Sequence, residues 1–137
     1  MAASEGDRTE KITVNVGLVD LGQIDLLVQE GFYANRTDFL RTAMRNQLGV
    51  HSDALAQTVA RKTLVLGAEH VTRAELEKHL AAGTKVQIHV LGLATIAADV
   101  TPELAAATIE SVEVLGAFRA SLAVKSALAG RTLGGRR

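Results

Sequence analysis

Three polar residues near the N-terminus, Lys11, Thr13 and Asn15, are the first candidates for a chemical function because they alternate with apolar neighbours. Their side chains suit the edges of DNA bases. An asparagine amide bonds adenine bidentately, a lysine reaches guanine acceptors or phosphate, and a threonine contacts a thymine methyl group. A two-stranded ribbon that carried these residues from two chains would fit the major groove. We therefore predict base contacts from all three.

A second candidate site follows at Asn35, Arg36 and Thr37. At the start of a helix these residues would combine free backbone N–H groups, the positive end of the helix dipole and a guanidinium group. That combination suits a phosphate. Phosphate contacts position a protein on DNA, whereas base contacts specify the sequence.

Motifs for catalysis or metal binding are missing from the sequence. The chain has no cysteine, which excludes disulfides, thiolate metal sites and cysteine nucleophiles. Neither a phosphate-binding loop nor a nucleophile elbow occurs. The histidines have no compact metal-ligand spacing; they are His51, His70, His79 and His89. We predict a protein that is not an enzyme and that uses no cofactor.

The elements that must position the candidate residues follow from the apolar periodicity. Strict alternation over residues 11–16 predicts a half-buried strand. Apolar stripes at helical spacing predict helices over about residues 19–30 and 36–48, the second with Asn35 as its N-cap. A glycine follows each helix and is expected to end it, at Gly31 and Gly49.

This strand and two helices are too small to bury an adequate core alone, and a single strand leaves both of its edges unpaired. Both problems disappear when two copies pair their strands and pack their helices together. The N-terminal segment therefore predicts an obligate homodimer.

A Val-Leu-Gly tripeptide occurs three times in the rest of the chain, with its glycines 25 and 24 residues apart at Gly67, Gly92 and Gly116. Alternating strands are predicted before the second and third glycines, over residues 85–91 and 109–115. Helices are predicted over residues 72–82, 101–108 and about 121–129, with Thr72 and Thr101 as the N-caps of the first two. A strand and a helix in each short repeat are typical of a stacked, solenoid-like array.

The stretch KITVNVGLVDLGQIDLLVQEGFYANRTDFLRTAMRNQL resembles ribbon–helix–helix regulators of the CopG type. The resemblance covers about residues 10–49 and leaves the repeat region unassigned. It implies that Lys11, Thr13 and Asn15 contact bases and that Arg36 and Thr37 hold phosphate. Arg8 and Lys11 are the only basic residues around the ribbon, so we expect several dimers to act together.

The predicted fold class is α+β, in five segments. They are a flexible tail (residues 1–9), the ribbon–helix–helix domain (10–50), a linker or short extra helix (51–60), a repeat-built oligomerisation domain (61–130) and a basic tail (131–137). Residues 117–137 hold five basic and no acidic residues, although the net charge of the whole chain is zero. The sequence shows no signal peptide and no apolar run that could span a membrane, so we expect a cytoplasmic protein at the nucleoid.

The leading hypothesis is a sequence-specific transcriptional regulator that binds double-stranded DNA, with a C-terminal module that joins dimers into higher oligomers. Two alternatives stay open. One is an effector-sensing repressor whose C-terminal module binds a ligand. The other is a scaffold or filament-forming protein with secondary DNA binding.

Overall fold

A computed structural model describes residues 9–133 of the chain. The described residues divide into two compact units, one up to Gln57 and one from Thr58 onward. Within the described range, every helix is too short or too polar to cross a membrane. Residues 1–8 of the predicted tail (residues 1–9) and the last four residues, including Arg136 and Arg137, lie outside this range.

The N-terminal unit is built from helices. Its helices are α1 (Leu18–Gln29), α2 (Arg36–Val50) and the first half of α3 (Ser52–Lys62). The two predicted helices are confirmed, but α2 continues through Gly49, because a glycine weakens a helix by only about 1 kcal/mol and need not end it. Most of the segment expected as a linker or extra helix, residues 51–60, belongs to α3.

The segment over residues 9–17 forms neither a helix nor a strand in the single chain. A strand needs a neighbouring strand to satisfy its backbone hydrogen bonds, and none of the described residues supplies one here. The predicted strand and the dimer that would pair it therefore stay predictions.

The C-terminal unit alternates strands and helices. Its elements are β1 (Val65–Val71), α4 (Arg73–Ala82), β2 (Val86–Ile96), α5 (Pro102–Thr108), β3 (Ile109–Arg119), α6 (Leu122–Leu128) and β4 (Thr132–Leu133). All neighbouring strands are parallel, in the order β1-β2-β3-β4. The predicted mixture of helices and strands is confirmed, and the sheet is parallel.

Side-chain caps start the helices of this unit where the sequence predicts them. The hydroxyl oxygens of Thr72, Thr101 and Ser121 accept hydrogen bonds from backbone N–H groups three residues on, at 3.1 to 3.2 Å. Each bond satisfies a donor that the first helical turn leaves unpaired. Pro102 stands at the first helical position, where its missing N–H is no loss.

The three Val-Leu-Gly tripeptides lie side by side in the sheet. Gly67 pairs with Gly92, and Gly92 pairs with Gly116. All three have positive φ, +128°, +140° and +117°. A Cβ atom on Gly92 would overlap the carbonyl oxygen of Gly67, and one on Gly116 would overlap that of Gly92. The predicted strand ends at Leu91 and Leu115 were wrong, because the strands continue through the glycines to Ile96 and Arg119.

The core of the C-terminal unit lies on one face of the sheet. Alternate strand residues such as Ile88, Val90 and Val112 are fully buried there, together with Leu76 of α4 and Leu128 of α6. On the opposite face the leucines of the three tripeptides form a row across the strands: Leu66, Leu91 and Leu115. Leu66 is 74% exposed at the end of this row.

Part of the predicted basic tail belongs to the fold. The Arg131 guanidinium donates hydrogen bonds to the carbonyl oxygens of Ala106 and, at 2.9 Å, Ile109. Thr132 and Leu133 then pair with Val112 and Glu113 of β3. Arg131 therefore anchors the chain just before β4, the last strand of the sheet.

Candidate nucleic-acid interface

The three predicted base-contacting residues lie together on the exposed segment before α1. Lys11, Thr13 and Asn15 are all exposed and alternate with apolar residues along a segment that is neither helix nor strand. The apolar residues between them are exposed as well, Ile12 to 69% and Val14 to 70%. A polar and an apolar face of one segment are thus both open to solvent in the single chain.

Further apolar side chains of the N-terminal unit are also uncovered. Leu40, Met44 and Leu48 of α2 are 45%, 52% and 59% exposed, and Phe32 is 71% exposed. Ile24 is the one buried apolar residue that the structure describes in this unit. Exposed apolar side chains at this density mark an interaction surface rather than an ordinary protein exterior.

The second candidate site lies at the N-terminus of α2. Asn35 has an extended backbone, and its Oδ1 accepts a hydrogen bond from the Asp38 N–H at 2.8 Å. The Asp38 carboxylate in turn accepts one from the Ala34 N–H at 2.9 Å. Asn35 is therefore the N-cap that the sequence predicts, and its side chain stabilises the helix start.

Arg36 forms a bidentate ion pair with Asp25 of α1. Its Nε and Nη2 atoms each donate to a carboxylate oxygen of Asp25 at 2.8 Å. The hydrogen bonds from Arg36 lower the pKa of Asp25 below its ordinary value, with a smaller contribution from the charge of the guanidinium. This partner was missed from the sequence, because the two residues are eleven positions apart on different helices.

We expect the Asp25→Asn variant to bind DNA a few-fold more tightly, whatever the DNA sequence. The change frees the Arg36 guanidinium for phosphate and removes one negative charge. Because the pKa of Asp25 is lowered, the pair is intact at neutral pH and is lost only as the pH falls through that lowered value. Gel shifts at fixed salt on two unrelated DNA sequences measure the effect.

Asp53→Asn is the matched control, since Asp53 is an exposed acid on α3, outside the Asp25–Arg36 pair. An equal gain in affinity from Asp53→Asn would show that only net charge matters and that Arg36 has no part in DNA binding.

Comparison with known proteins identifies a family for this chain. A model of the Ribbon-Helix-Helix transcriptional regulator family matches residues 7–125. The match therefore includes most of the C-terminal unit, which the sequence resemblance left unassigned. No curated protein and no solved structure matches the chain. Since the family match spans well over half of its length, the chain belongs to the Ribbon-Helix-Helix transcriptional regulator family.

Proposed function

We propose that this protein is a sequence-specific DNA-binding regulator that acts as a homodimer. Two copies of residues 11–16 pair as an antiparallel ribbon, and the polar face of that ribbon enters the major groove. The observation that carries the proposal is the alternation of exposed polar and exposed apolar side chains along this segment. Pairing buries Ile12 and Val14 and leaves Lys11, Thr13 and Asn15 to contact bases.

The N-terminus of α2 holds the DNA backbone in this proposal. Asn35 caps the helix, and the backbone N–H groups of Arg36 and Thr37 have no hydrogen-bond partner among the described residues. These N–H groups, the Thr37 hydroxyl and the helix dipole bind a phosphate. Arg36 leaves Asp25 to join them.

The C-terminal unit joins dimers, and the protein acts on DNA in the cytoplasm. A ribbon with few basic residues gains little from counterion release, so a single dimer binds weakly. Joined dimers place several ribbons on neighbouring sites, and the high effective concentration of the second ribbon raises the overall affinity.

We expect Asn15→Ala to lower the affinity for the preferred DNA site by more than tenfold and to relax its sequence preference. A bidentate asparagine–adenine contact contributes about 1–3 kcal/mol of discrimination, and a dimer carries two copies. The measurement is a gel-shift series on the preferred site and on single-base variants of it.

Asn46→Ala is the matched control, because Asn46 is an exposed asparagine on α2 outside both candidate sites. Thr13→Ala is tested in parallel. Unchanged affinity and unchanged preference in both Asn15→Ala and Thr13→Ala would rule out the ribbon as the sequence-recognising element.

A further inference from the structure

The outer edge of β1 carries a positive-φ glycine like the two glycines at which neighbouring strands meet inside the sheet. Gly92 and Gly116 lack a Cβ because each lies against the carbonyl oxygen of the preceding tripeptide glycine. Gly67 has the same kind of backbone, with φ +128°, yet no atom of residues 9–133 lies within 4 Å of the place where its Cβ would be. This part of the chain therefore leaves the space beside Gly67 open.

The edge around Gly67 is also unprotected. Val65 is 48% exposed, Leu66 is 74% exposed, and β1 contains neither lysine nor proline. Natural proteins commonly place such residues on edge strands to prevent pairing with another chain. Although β1 also contains Glu69, its first four residues, Val65–Ala68, are apolar or small and are suited to pair with a further strand.

The other side of the sheet offers the complementary edge. Within the described residues, β4 pairs with β3 at Val112 and Glu113. From Val114 to Phe118 no described strand covers the outer edge of β3. This stretch includes the third tripeptide. Its glycine has a positive φ like the glycine of the second tripeptide, which pairs with β3 inside the chain.

We propose that a second copy of the chain adds its β1 to the β3 edge, parallel and in the register of the internal repeats. Val65, Leu66 and Gly67 of one copy then pair with Val114, Leu115 and Gly116 of the next. The contact joins two different edges and does not close on itself, so it links dimers in rows. The proposal rests on the proposed function, in which the C-terminal unit joins dimers.

Mixed single-cysteine variants test this contact directly, since the natural chain has no cysteine. In the proposed stack, the Cα atoms of Leu66 and Leu115 from neighbouring copies are about 4.8 Å apart, within the range of a disulfide. Inside one chain β2 separates them, so they are about 10 Å apart and too distant.

We expect Leu66→Cys and Leu115→Cys to form covalent dimers under mild oxidation when the two variants are mixed, and neither variant to do so alone. Crosslinking of Leu66→Cys by itself would indicate a symmetric contact between two β1 edges. That result, or a mixture without crosslinks, would overturn the proposal.

Gly67→Ala gives an independent test in solution. The added methyl group would meet the Gly116 carbonyl oxygen of the neighbouring copy, as it would in the two internal steps. We expect assemblies larger than the dimer to be lost in sedimentation, while the C-terminal unit still unfolds in a cooperative transition, at a temperature lowered by the strain of the positive φ. Gly83→Ala, with φ +71° and equally open space, should keep the assemblies.

A folded Gly67→Ala variant that assembles like the natural protein would place the contact elsewhere, such as on the leucine row, and would overturn the edge proposal. If Gly67→Ala does not fold, the crosslinking of the mixed Leu66→Cys and Leu115→Cys variants tests the proposed contact instead. Both experiments are done without DNA. Failure of the ribbon proposal would therefore leave the crosslinks in place, and failure of the edge proposal would leave the effect of Asn15→Ala in place.

Discussion

Replacing Gly92 by alanine is expected to unfold the C-terminal unit, or to lower its free energy of unfolding by more than about 4 kcal/mol. The positive φ of +140° alone contributes strain of order 1–3 kcal/mol for a residue with a Cβ. The Cβ would in addition overlap the Gly67 carbonyl oxygen and lie 3.0 Å from its carbonyl carbon. Since both atoms belong to the backbone, relief requires β1 and β2 to separate.

Gly67→Ala separates these two causes, because Gly67 has a positive φ but open space around it. Urea unfolding of both variants, followed by circular dichroism at a concentration low enough to avoid assembly, measures the difference. Equal midpoints for the two variants would mean that the close approach of the strands contributes nothing beyond backbone strain.

Val14→Asp is expected to abolish the dimer and, with it, DNA binding. Val14 is 70% exposed in the single chain, so an aspartate there disturbs no packing within the monomer. In the paired ribbon it would bury two unpaired carboxylates, each at an effective cost of several kcal/mol. We expect the dissociation constant of the dimer to rise by more than about a thousandfold, because every 1.4 kcal/mol is a factor of ten.

Thr13→Asp is the matched control. It introduces the same charge one residue away, on the face that the proposal assigns to DNA, so the dimer should persist while DNA binding weakens. Analytical ultracentrifugation measures the mass of both variants at a concentration low enough to avoid assembly through the C-terminal unit. A dimeric Val14→Asp protein would show that the apolar face of residues 11–16 lies outside the dimer interface.

Local features of this protein were predictable from the sequence because they depend on residues close together in the chain. The helix caps at Asn35, Thr72 and Thr101 each act over three residues, and the structure confirms all three. The apolar periodicity of α1 and α2 arises from the turn of a single helix, and it predicted both helices to within about two residues. The recurring tripeptide likewise indicated a repeat before any strand was placed.

Contacts between distant residues were decided only by the tertiary structure. No sequence pattern indicated that Arg36 would bond Asp25 rather than remain exposed to solvent, or that Arg131 would bond the backbone at Ile109. It suggested that the tripeptide glycines end strands, whereas the structure places them in mid-strand, where one backbone meets another. Because glycine lacks a Cβ, it can end a strand or allow two backbones to approach closely. Only the position of the neighbouring strand determines which of these roles it has.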